Sequence, residues 1–378
     1  MTRRELAEQW LRRAIDAVDP RPLTAHALKR EDDGETIIAI GKAAAAMCWG
    51  AADALGAIRG LCVTGQRTTV PPGIELVVGD HPIPGQASLV AGEKALEVAP
   101  HADIALVSGG GSALCESPID GVPLEYLAMA TKALLSGGAS IEQLNLVRGH
   151  LSRIKGGGLG PLSTYVLSDV SGQPPEVVSS GPTLPAPHAP DTVLELLKRF
   201  NVEVPIDVEN AIRASRELRE APDRVVVVGD GHTAAAAVIA ASGLPGAVQD
   251  RWVTGQLTVE LDEFVNDSPS GLTVAAGEPV LEVSGVGSGG RNTHAALLAA
   301  DLIAGTDWVF GALATDGIDG NSTSAGAVVD GSTILRGGDP ASALAEFDSA
   351  TYLERSGDLI VTGPTGTNVA DVWLILKI

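Results

Sequence analysis

The stretch Ile104–Leu114, which reads I-A-L-V-S-G-G-G-S-A-L, decides the fold of this chain. Its first four residues are apolar and lead to three consecutive glycines, a pattern typical of a buried parallel strand and the turn that follows it. Consecutive glycines let the backbone adopt positive φ and approach a ligand closely. Successive free amides in such a turn, flanked here by Ser108 and Ser112, can bind an anion, most often a phosphate.

The same device, an apolar strand followed by a polar turn, recurs along the chain, with helical spacing between the strands. This alternation predicts an α/β fold. An amphipathic surface helix is expected over Met1–Pro20. The other predicted strands are Thr36–Ile40, Leu61–Thr64, Leu76–Val78, Thr164–Leu167, Val225–Val228, Thr273–Ala276, Leu281–Val283, Trp308–Leu313, Asp358–Thr362 and Val372–Leu376.

Length and composition limit the class of protein. A chain of 378 residues predicts two domains, and the polar, acidic stretch Asp262–Gly271 is the candidate boundary. Aromatic residues make up only 3%, so the core is expected to rely on Ala, Val, Leu and Ile. The net charge of −21 argues against nucleic acid and anionic membranes as main partners, and no stretch is apolar over the ~18 residues of a membrane span. Three cysteines without metal-binding spacing fit a reducing cytoplasm.

Two cations lie where strands give way to predicted helices. Lys42 follows the strand Thr36–Ile40, and Arg291 follows the glycine-rich run 285–290. A cation is locally unfavourable at a helix N-terminus, so both positions indicate an anionic ligand, although a solvated lysine fits the first position equally well. The run 285–290 also matches the dinucleotide fingerprint G-x-G-x-x-G, which leaves nicotinamide chemistry as an alternative.

The remaining candidates are a basic stretch and three carboxylates. Ile141–Gly158 contains Arg148 and Lys155 and ends in three glycines, which suits an anion. Asp169 follows the strand Thr164–Leu167, where a Mg²⁺ ligand, a base or a turn cap could lie. The last two carboxylates stand three residues apart in a tight turn and fit either a metal site or the turn itself; they are Asp316 and Asp319.

Nine short runs together resemble the class II glycerate kinases, the glycerate 2-kinase family with an N-terminal glycerate-kinase domain and a C-terminal MOFRL domain. They occur in the family's order from Ile40 to Asp371. The runs are I-G-K-A-A, G-D-H-P-I-P, V-S-G-G-G-S-A-L, N-L-V-R-G-H-L-S-R-I-K-G-G, L-S-D-V-S-G, S-S-G-P-T, G-S-G-G-R-N, A-T-D-G-I-D-G and T-G-P-T-G-T-N-V-A-D.

The resemblance implies two α/β domains with the active site in the cleft between them. The larger, a Rossmann-like three-layer sandwich, would span residues 1–260, and the smaller MOFRL domain would span residues 271–378. The resemblance also implies ATP- and Mg²⁺-dependent phosphorylation of D-glycerate, usually to 2-phosphoglycerate. The lysine and arginine held important in the family correspond to Lys42 and Arg291.

With these implications, each candidate residue receives a predicted role. The predicted catalytic residues are Lys42, Arg291 and Asp169, of which Asp169 is also the candidate for orienting the attacking hydroxyl. ATP is expected to contact Ser108, Gly109, Gly110, Gly111, Ser112, Lys155 and Asn368. The acceptor is expected to contact Arg148 and Asn292, and Mg²⁺ is expected to bind Asp169, Asp316 and Asp319.

The chain departs from the family pattern at several positions. Gly158 replaces an arginine, Thr293-His294 replaces Gln-Glu, and Leu184 replaces an aspartate. A related hydroxy acid or sugar acid is therefore an alternative acceptor, and a hydroxypyruvate reductase or a non-catalytic sugar-acid sensor is an alternative class. The expected partners are small molecules, D-glycerate and ATP, with a homodimer as an option, in the cytoplasm.

Overall fold

The computed structural model describes residues 1–28, 34–215 and 220–378. The chain divides into two compact units, which differ from the predicted domains. The first unit comprises Pro20–Ser168 and Gln173–Val228. The second comprises Met1–Asp19, Asp169–Gly172 and Gly229–Ile378. No helix in the described ranges combines the length and apolarity needed to cross a membrane.

The first unit contains six strands among its described residues. They are β1 (Thr36–Ile40), β2 (Arg59–Thr64), β3 (Ile74–Val78), β4 (Ile104–Ser108), β5 (Ser163–Leu167) and β6 (Val225–Gly229). Its helices are α2 (Pro20–Ala27), α3 (Ala44–Leu55), α4 (Gln86–Val98), α5 (Gly111–Leu114), α6 (Leu124–Ser136), α7 (Ile141–Leu151), α8 (Pro190–Arg199) and α9 (Ile206–Arg213). Two short 3₁₀ segments cover Ala99–His101 and Pro175–Ser180.

The strands of this unit form one sheet in the order β3-β2-β1-β4-β5-β6. The pairs β1–β2, β2–β3, β1–β4 and β4–β5 are parallel. Every residue of β1 and β4 is buried, as expected of parallel strands that are covered on both faces. This strand order is that of the doubly wound Rossmann fold, so the predicted architecture of the larger domain is confirmed.

The second unit has six strands and seven helices in its described part. The helices are α1 (Arg3–Ala17), α10 (Gly231–Ser242), α11 (Leu257–Asp267), α12 (Arg291–Leu302), α13 (Thr333–Gly337), α14 (Ala341–Ala345) and α15 (Ser349–Ser356). The strands are β7 (Gly246–Val248), β8 (Gly271–Gly277), β9 (Val309–Ala314), β10 (Gly326–Asp330), β11 (Leu359–Ile360) and β12 (Asp371–Lys377).

The sheet of the second unit is mixed, in the order β11-β10-β9-β12-β8-β7. Its pairs are antiparallel except for β7–β8. The core of this unit consists mainly of Ala, Val, Leu and Ile, as composition predicted. A few aromatic rings join it: Trp373 lies between Phe264 and Phe310, with ring centroids 5.9 and 5.7 Å away in edge-to-face contact.

Two local predictions differ from the structure. The stretch expected at the domain boundary instead contributes residues 262–267 to α11, in which Leu261, Phe264 and Val265 recur at helical spacing and are buried. Leu281–Val283 forms no strand, and Val283 is exposed. The amphipathic helix expected over Met1–Pro20 is confirmed as α1, which buries Ala7, Trp10, Leu11 and Ala14.

Candidate active site

The carboxyl ends of β1 and β4 lie side by side in the first unit, where Ile40 is the register partner of Val107. The strand order reverses at this point, because the chain runs outward from β1 to β3 and then returns to β4. In open α/β sheets, ligands bind in the crevice outside the carboxyl ends of the strands at such a switch point. Gly41 and Lys42 follow β1 here, and the glycine-rich turn 109–112 follows β4.

Hydrogen bonds fix the glycine-rich turn on both sides. The amide of Lys42 donates to the carbonyl oxygen of Gly109 at 2.9 Å. The Ser179 hydroxyl accepts from the amide of Gly111 at 2.9 Å and donates to the carbonyl oxygen of Ser108 at 2.6 Å. A Cβ atom at Gly111 would lie 2.5 Å from Ser179 Oγ, so only glycine fits at this position. The turn is therefore held in place without a ligand.

The same turn leaves amides available for an anion. Within the described part of the chain, the amides of Gly110 and Ser112 have no acceptor. Gly110 has φ of 87°, a left-handed conformation that favours glycine. The Lys42 side chain is exposed and passes over this residue, with Cγ and Cε 3.1 and 3.2 Å from where a Cβ of Gly110 would be. Burial and the nearby Lys42 charge lower the pKa of His81, which borders the same glycine.

A left-handed segment, Ser179–Gly181, contacts the glycine-rich turn through the Ser179 hydroxyl. Its three residues have φ of 53°, 59° and 59°. Two of them are not glycine, and consecutive left-handed residues of that kind are strained and are typically found at functional sites. The run S-S-G-P-T contributes to the family resemblance but has no predicted role. The Ser179 contacts span 68 and 71 residues, so no local spacing could have indicated them.

Arg148 and Asn145 lie one helical turn apart on α7, on the same face of the helix. Arg148 is half-buried and has no carboxylate partner among the described residues. Burial lowers its pKa to about 10. Asn145 accepts a hydrogen bond from Ser180, which is in turn bonded to Ser112 of the glycine-rich turn. The face of α7 that carries Arg148 is thus tied to the candidate anion site.

Lys155 does not fit its predicted role as a phosphate ligand. Only 1% of its side chain is exposed, and its ammonium pairs with Glu116, which is also buried. The second oxygen of Glu116 accepts from the Ser152 hydroxyl at 2.5 Å and from the Ser117 amide at 2.9 Å. A buried and paired ammonium has no surface to offer to a phosphate, so the geometry favours a structural role.

Arg291, in the second unit, is the first residue of α12, as the sequence predicted. Its guanidinium pairs with Asp371, the first residue of β12, and with Glu278 at 2.8 Å. Burial acts to lower the pKa of Arg291, but these two carboxylates outweigh it and leave the pKa above its ordinary value. About a third of the side chain is exposed, so the remaining N–H groups can still reach a ligand.

Two other predicted residues at this helix start have structural contacts. Asp319 is buried and accepts from the amides of Asn292 and Thr293 at 2.9 and 2.7 Å and from the Thr293 hydroxyl at 2.7 Å. Asn292 is fully buried, and its side-chain oxygen accepts from the Trp373 indole at 3.3 Å. Both placements conflict with the predicted contacts to Mg²⁺ and acceptor, because neither side chain has free surface for a ligand.

The other two predicted carboxylates follow strands. Asp169 is half-buried, two residues after the end of β5, a strand of the first unit. Asp316 is also half-buried, and its Oδ1 accepts from the Ile318 amide at 3.1 Å. The predicted nucleotide contact Asn368 is half-buried, and its side-chain oxygen accepts from the amide of Ala370 at 3.2 Å. These three side chains retain surface for a ligand.

The glycine-rich run 285–290 lacks the structural context of a dinucleotide site. That fingerprint requires a strand before it, and none forms here. The run instead packs against the segment 346–349, where the Gly287 amide donates to the Glu346 carbonyl oxygen at 3.0 Å. The Ser288 amide donates to the Asp348 carboxylate at 2.9 Å. The structural support for nicotinamide binding is therefore lost.

Comparison with known proteins agrees with this geometry. The family model described as a domain of unknown function, DUF4147, matches residues 6–213, and that of the MOFRL family matches residues 271–371. A D-glycerate 2-kinase from Thermotoga maritima is 33% identical over 408 aligned residues, which cover 98% of this chain and 97% of the relative. An Agrobacterium vitis relative, named provisionally as a hydroxypyruvate reductase, is 32% identical and covers 98% and 94%.

A crystal structure of a glycerate kinase from Thermotoga maritima matches with a TM-score of 0.92 at 31% identity, over 99% of both chains. The match over the whole chain identifies the fold as that of a two-domain α/β kinase. This chain belongs to the class II glycerate kinase family, also called the glycerate 2-kinase family, and it is an enzyme of that family. The predicted resemblance is confirmed, and the sensor alternative is excluded.

Proposed function

We propose that this enzyme transfers the terminal phosphoryl group of ATP to D-glycerate and forms 2-phosphoglycerate. The supporting observation is the glycine-rich turn at the switch point of the sheet, where the amides of Gly110 and Ser112 have no acceptor among the described residues and the Lys42 side chain passes over Gly110. The names of the relatives support glycerate as the acceptor.

The glycine-rich turn is the proposed site for the phosphates of ATP. Phosphoryl transfer depends on positioning and charge neutralisation more than on covalent chemistry. The turn supplies backbone donors that the Ser179 hydroxyl already holds in place, so little reorganisation accompanies binding. Lys42 adds a mobile positive charge next to those donors. In a chain of net charge −21, such local cations determine whether an anion can bind.

Asp169 and Asp316, which both belong to the second unit, are the proposed Mg²⁺ ligands. Hard cations prefer carboxylate oxygens, and Mg²⁺ in nucleotide sites needs only one or two of them together with phosphates and water. The described residues contain no cluster of three or more His, Cys, Asp or Glu side chains that could hold a metal alone. Asp316 fits, because its Oδ2 accepts no hydrogen bond from the described residues. Asp319 is assigned to capping α12.

Arg148 is the proposed partner of the acceptor's carboxylate. Its burial without a carboxylate costs free energy that a bound anion would recover, and a guanidinium can bind a carboxylate through two hydrogen bonds. A related hydroxy acid would satisfy the same contact, so the identity of the acceptor must be measured. The departures at Gly158 and Thr293-His294 make this comparison necessary.

The test is ADP release from purified protein with Mg-ATP and D-glycerate, with L-glycerate and hydroxypyruvate in parallel. D-glycerate-dependent ADP release is expected, and phosphorus NMR of the product is expected to show phosphate on the 2-hydroxyl. NADH oxidation with hydroxypyruvate tests the reductase alternative and should be absent. No ADP release with any acceptor would contradict the proposal.

A matched pair of variants tests the acceptor contact. Arg148→Gln should raise the KM for glycerate at least tenfold and change the KM for ATP little. Arg199→Gln removes an exposed arginine from α8 of the same unit and should leave both constants unchanged. Equal behaviour of the two variants would remove Arg148 from the proposed site.

A further inference from the structure

A chain of three polar side chains joins the glycine-rich turn to α7. Ser112 Oγ and Ser180 Oγ are 2.8 Å apart, and the Ser180 hydroxyl donates to Asn145 Oδ1 at 2.8 Å. Ser180 is buried, with 4% of its surface exposed. The chain ends at Asn145, whose Nδ2 is buried and has no hydrogen-bond partner in the described part of the structure.

The direction of the hydrogen bonds in this chain follows from proton counting. A serine hydroxyl has one proton, and Ser180 gives its proton to Asn145. The bond between the two serines must then be donated by Ser112. In this arrangement Ser112 has only lone pairs to present to the turn, and lone pairs repel a phosphate oxygen. The turn as it stands therefore binds an anion with one donor fewer than its residues could supply.

We propose that Asn145 is a positioning residue that sets the direction of this chain, and that phosphate binding reverses it. When the side-chain amide rotates by half a turn, Nδ2 donates to Ser180, Ser180 donates to Ser112, and Ser112 donates to the phosphate. The unbonded Nδ2 is the observation behind this proposal, because a buried N–H without an acceptor is rare in native proteins. The inference rests on the proposed phosphate site in the glycine-rich turn.

The backbone around Ser180 is built to hold this geometry. Ser179 and Ser180 are both left-handed, a strained conformation that persists only where its surroundings fix it. The carbonyl oxygen of Ser180 accepts from the Gly156 amide at 3.0 Å, and that of Gly181 accepts from the Gly157 amide at 2.7 Å. These contacts place the Ser180 hydroxyl between Ser112 and Asn145, so only the hydroxyl protons and the amide need to move.

The test is a double-mutant cycle on Ser112 and Asn145, measured by calorimetric binding of ADP and of inorganic phosphate without acceptor. Asn145→Asp presents acceptors only, so it locks the chain in the inward direction and should weaken binding on the order of tenfold, as should Ser112→Ala. Asn145→Leu releases the Ser180 proton toward Ser112 and should weaken binding less than Asn145→Asp.

The double variant Ser112→Ala with Asn145→Asp separates this mechanism from simple charge repulsion. If Asn145 acts through Ser112, the double variant binds ADP about as weakly as either single variant. If the two losses multiply, the aspartate acts by its charge alone and the proposal is overturned. Asn210→Asp adds the same charge to an exposed site on α9 and should leave ADP binding unchanged.

The cycle and the proposed function can fail independently. If glycerate is not phosphorylated and the losses of ADP binding in the cycle do not multiply, the proposed acceptor is wrong and the role of Asn145 is supported. Normal turnover of glycerate with multiplying losses would overturn only the role of Asn145. Thermal unfolding of each variant shows whether a loss of binding arises from loss of fold. If Asn145→Asp does not fold, the uncharged Asn145→Leu takes its place in the cycle. Losses of ADP binding that multiply between Asn145→Leu and Ser112→Ala would then overturn the proposal.

Discussion

Removing the ammonium of Lys155 should destabilise the first unit without acting on a ligand. In Lys155→Met the Glu116 carboxylate stays buried and keeps its hydrogen bonds from Ser152 and the Ser117 amide, but it loses the ammonium. Leaving one partner of a buried ion pair uncompensated costs about 3–5 kcal/mol. At about 2–4 °C per kcal/mol for a domain of this size, the unfolding midpoint should fall by roughly 6–20 °C.

The double variant Glu116→Gln with Lys155→Met completes the experiment. The glutamine carbonyl can still accept from the Ser152 hydroxyl and the Ser117 amide, and no charge remains buried. Thermal unfolding followed by circular dichroism should show that most of the lost stability returns. ADP binding, measured well below the midpoints, should be unchanged in the single and the double variant. A double variant that is stable but does not bind ADP would show that Lys155 contacts phosphate, and would refute the structural role.

Three further predictions concern single positions. Gly111→Ala places a Cβ against the Ser179 hydroxyl and should weaken ADP binding at least tenfold by calorimetry, whereas Gly65→Ala, which meets only ordinary contacts, should not. Lys42→Met should raise the pKa of His81 in an NMR titration, but only partly to its ordinary value, because burial is the larger cause of its lowering; an unchanged pKa would place Lys42 elsewhere. Burial lowers the pKa of His294 despite the nearby Asp319. Folding therefore favours the neutral histidine, so the free energy of unfolding should be highest above the unfolded-state pKa of ~6.5 and should decrease as the pH falls toward the folded-state pKa. Midpoints measured from pH 7.5 to 5 should therefore fall more steeply than in His294→Leu, and parallel curves would contradict this.

The sheet of the first unit could be predicted from the sequence because its strands are short apolar runs that end at turn residues. Thr36–Ile40 was predicted with its observed bounds, and Ile104–Val107 differs by one residue. The prediction of a strand at Leu281–Val283 was wrong because this short run, interrupted by the charged Glu282, has no strand pairing among the described residues and stays irregular. The stretch Asp262–Gly271 looked like a linker because its buried residues are spaced by helical turns among acidic ones.

The candidate site could be predicted only where its signal was local. Glycines after a strand and a lysine at a helix start are visible in the sequence, and the structure places Lys42 over the turn. Partners distant in the chain leave no such signal. Lys155 meets a glutamate 39 residues away, and Ser112 meets a serine 68 residues away. A basic residue beside three glycines thus looked like a ligand contact, although its charge is used inside the fold.

Arg291 is paired with two carboxylates, whereas Arg148 has no carboxylate partner among the described residues. Variants of Arg291 must therefore be tested for lost stability as well as lost activity. Arg291 is bonded to Asp371, whose side chain is only 2% exposed, and to Glu278. Arg291→Ala would leave a buried carboxylate uncompensated, so a fall in kcat/KM by orders of magnitude would be accompanied by a lower unfolding midpoint. Arg291→Lys keeps a charge near Asp371 but loses the planar, two-bond geometry. If Arg291 also contacts a phosphate, Arg291→Lys should recover most of the midpoint and little of kcat/KM, because one ammonium cannot serve the carboxylate and the phosphate together. Recovery of both would assign Arg291 to the fold alone.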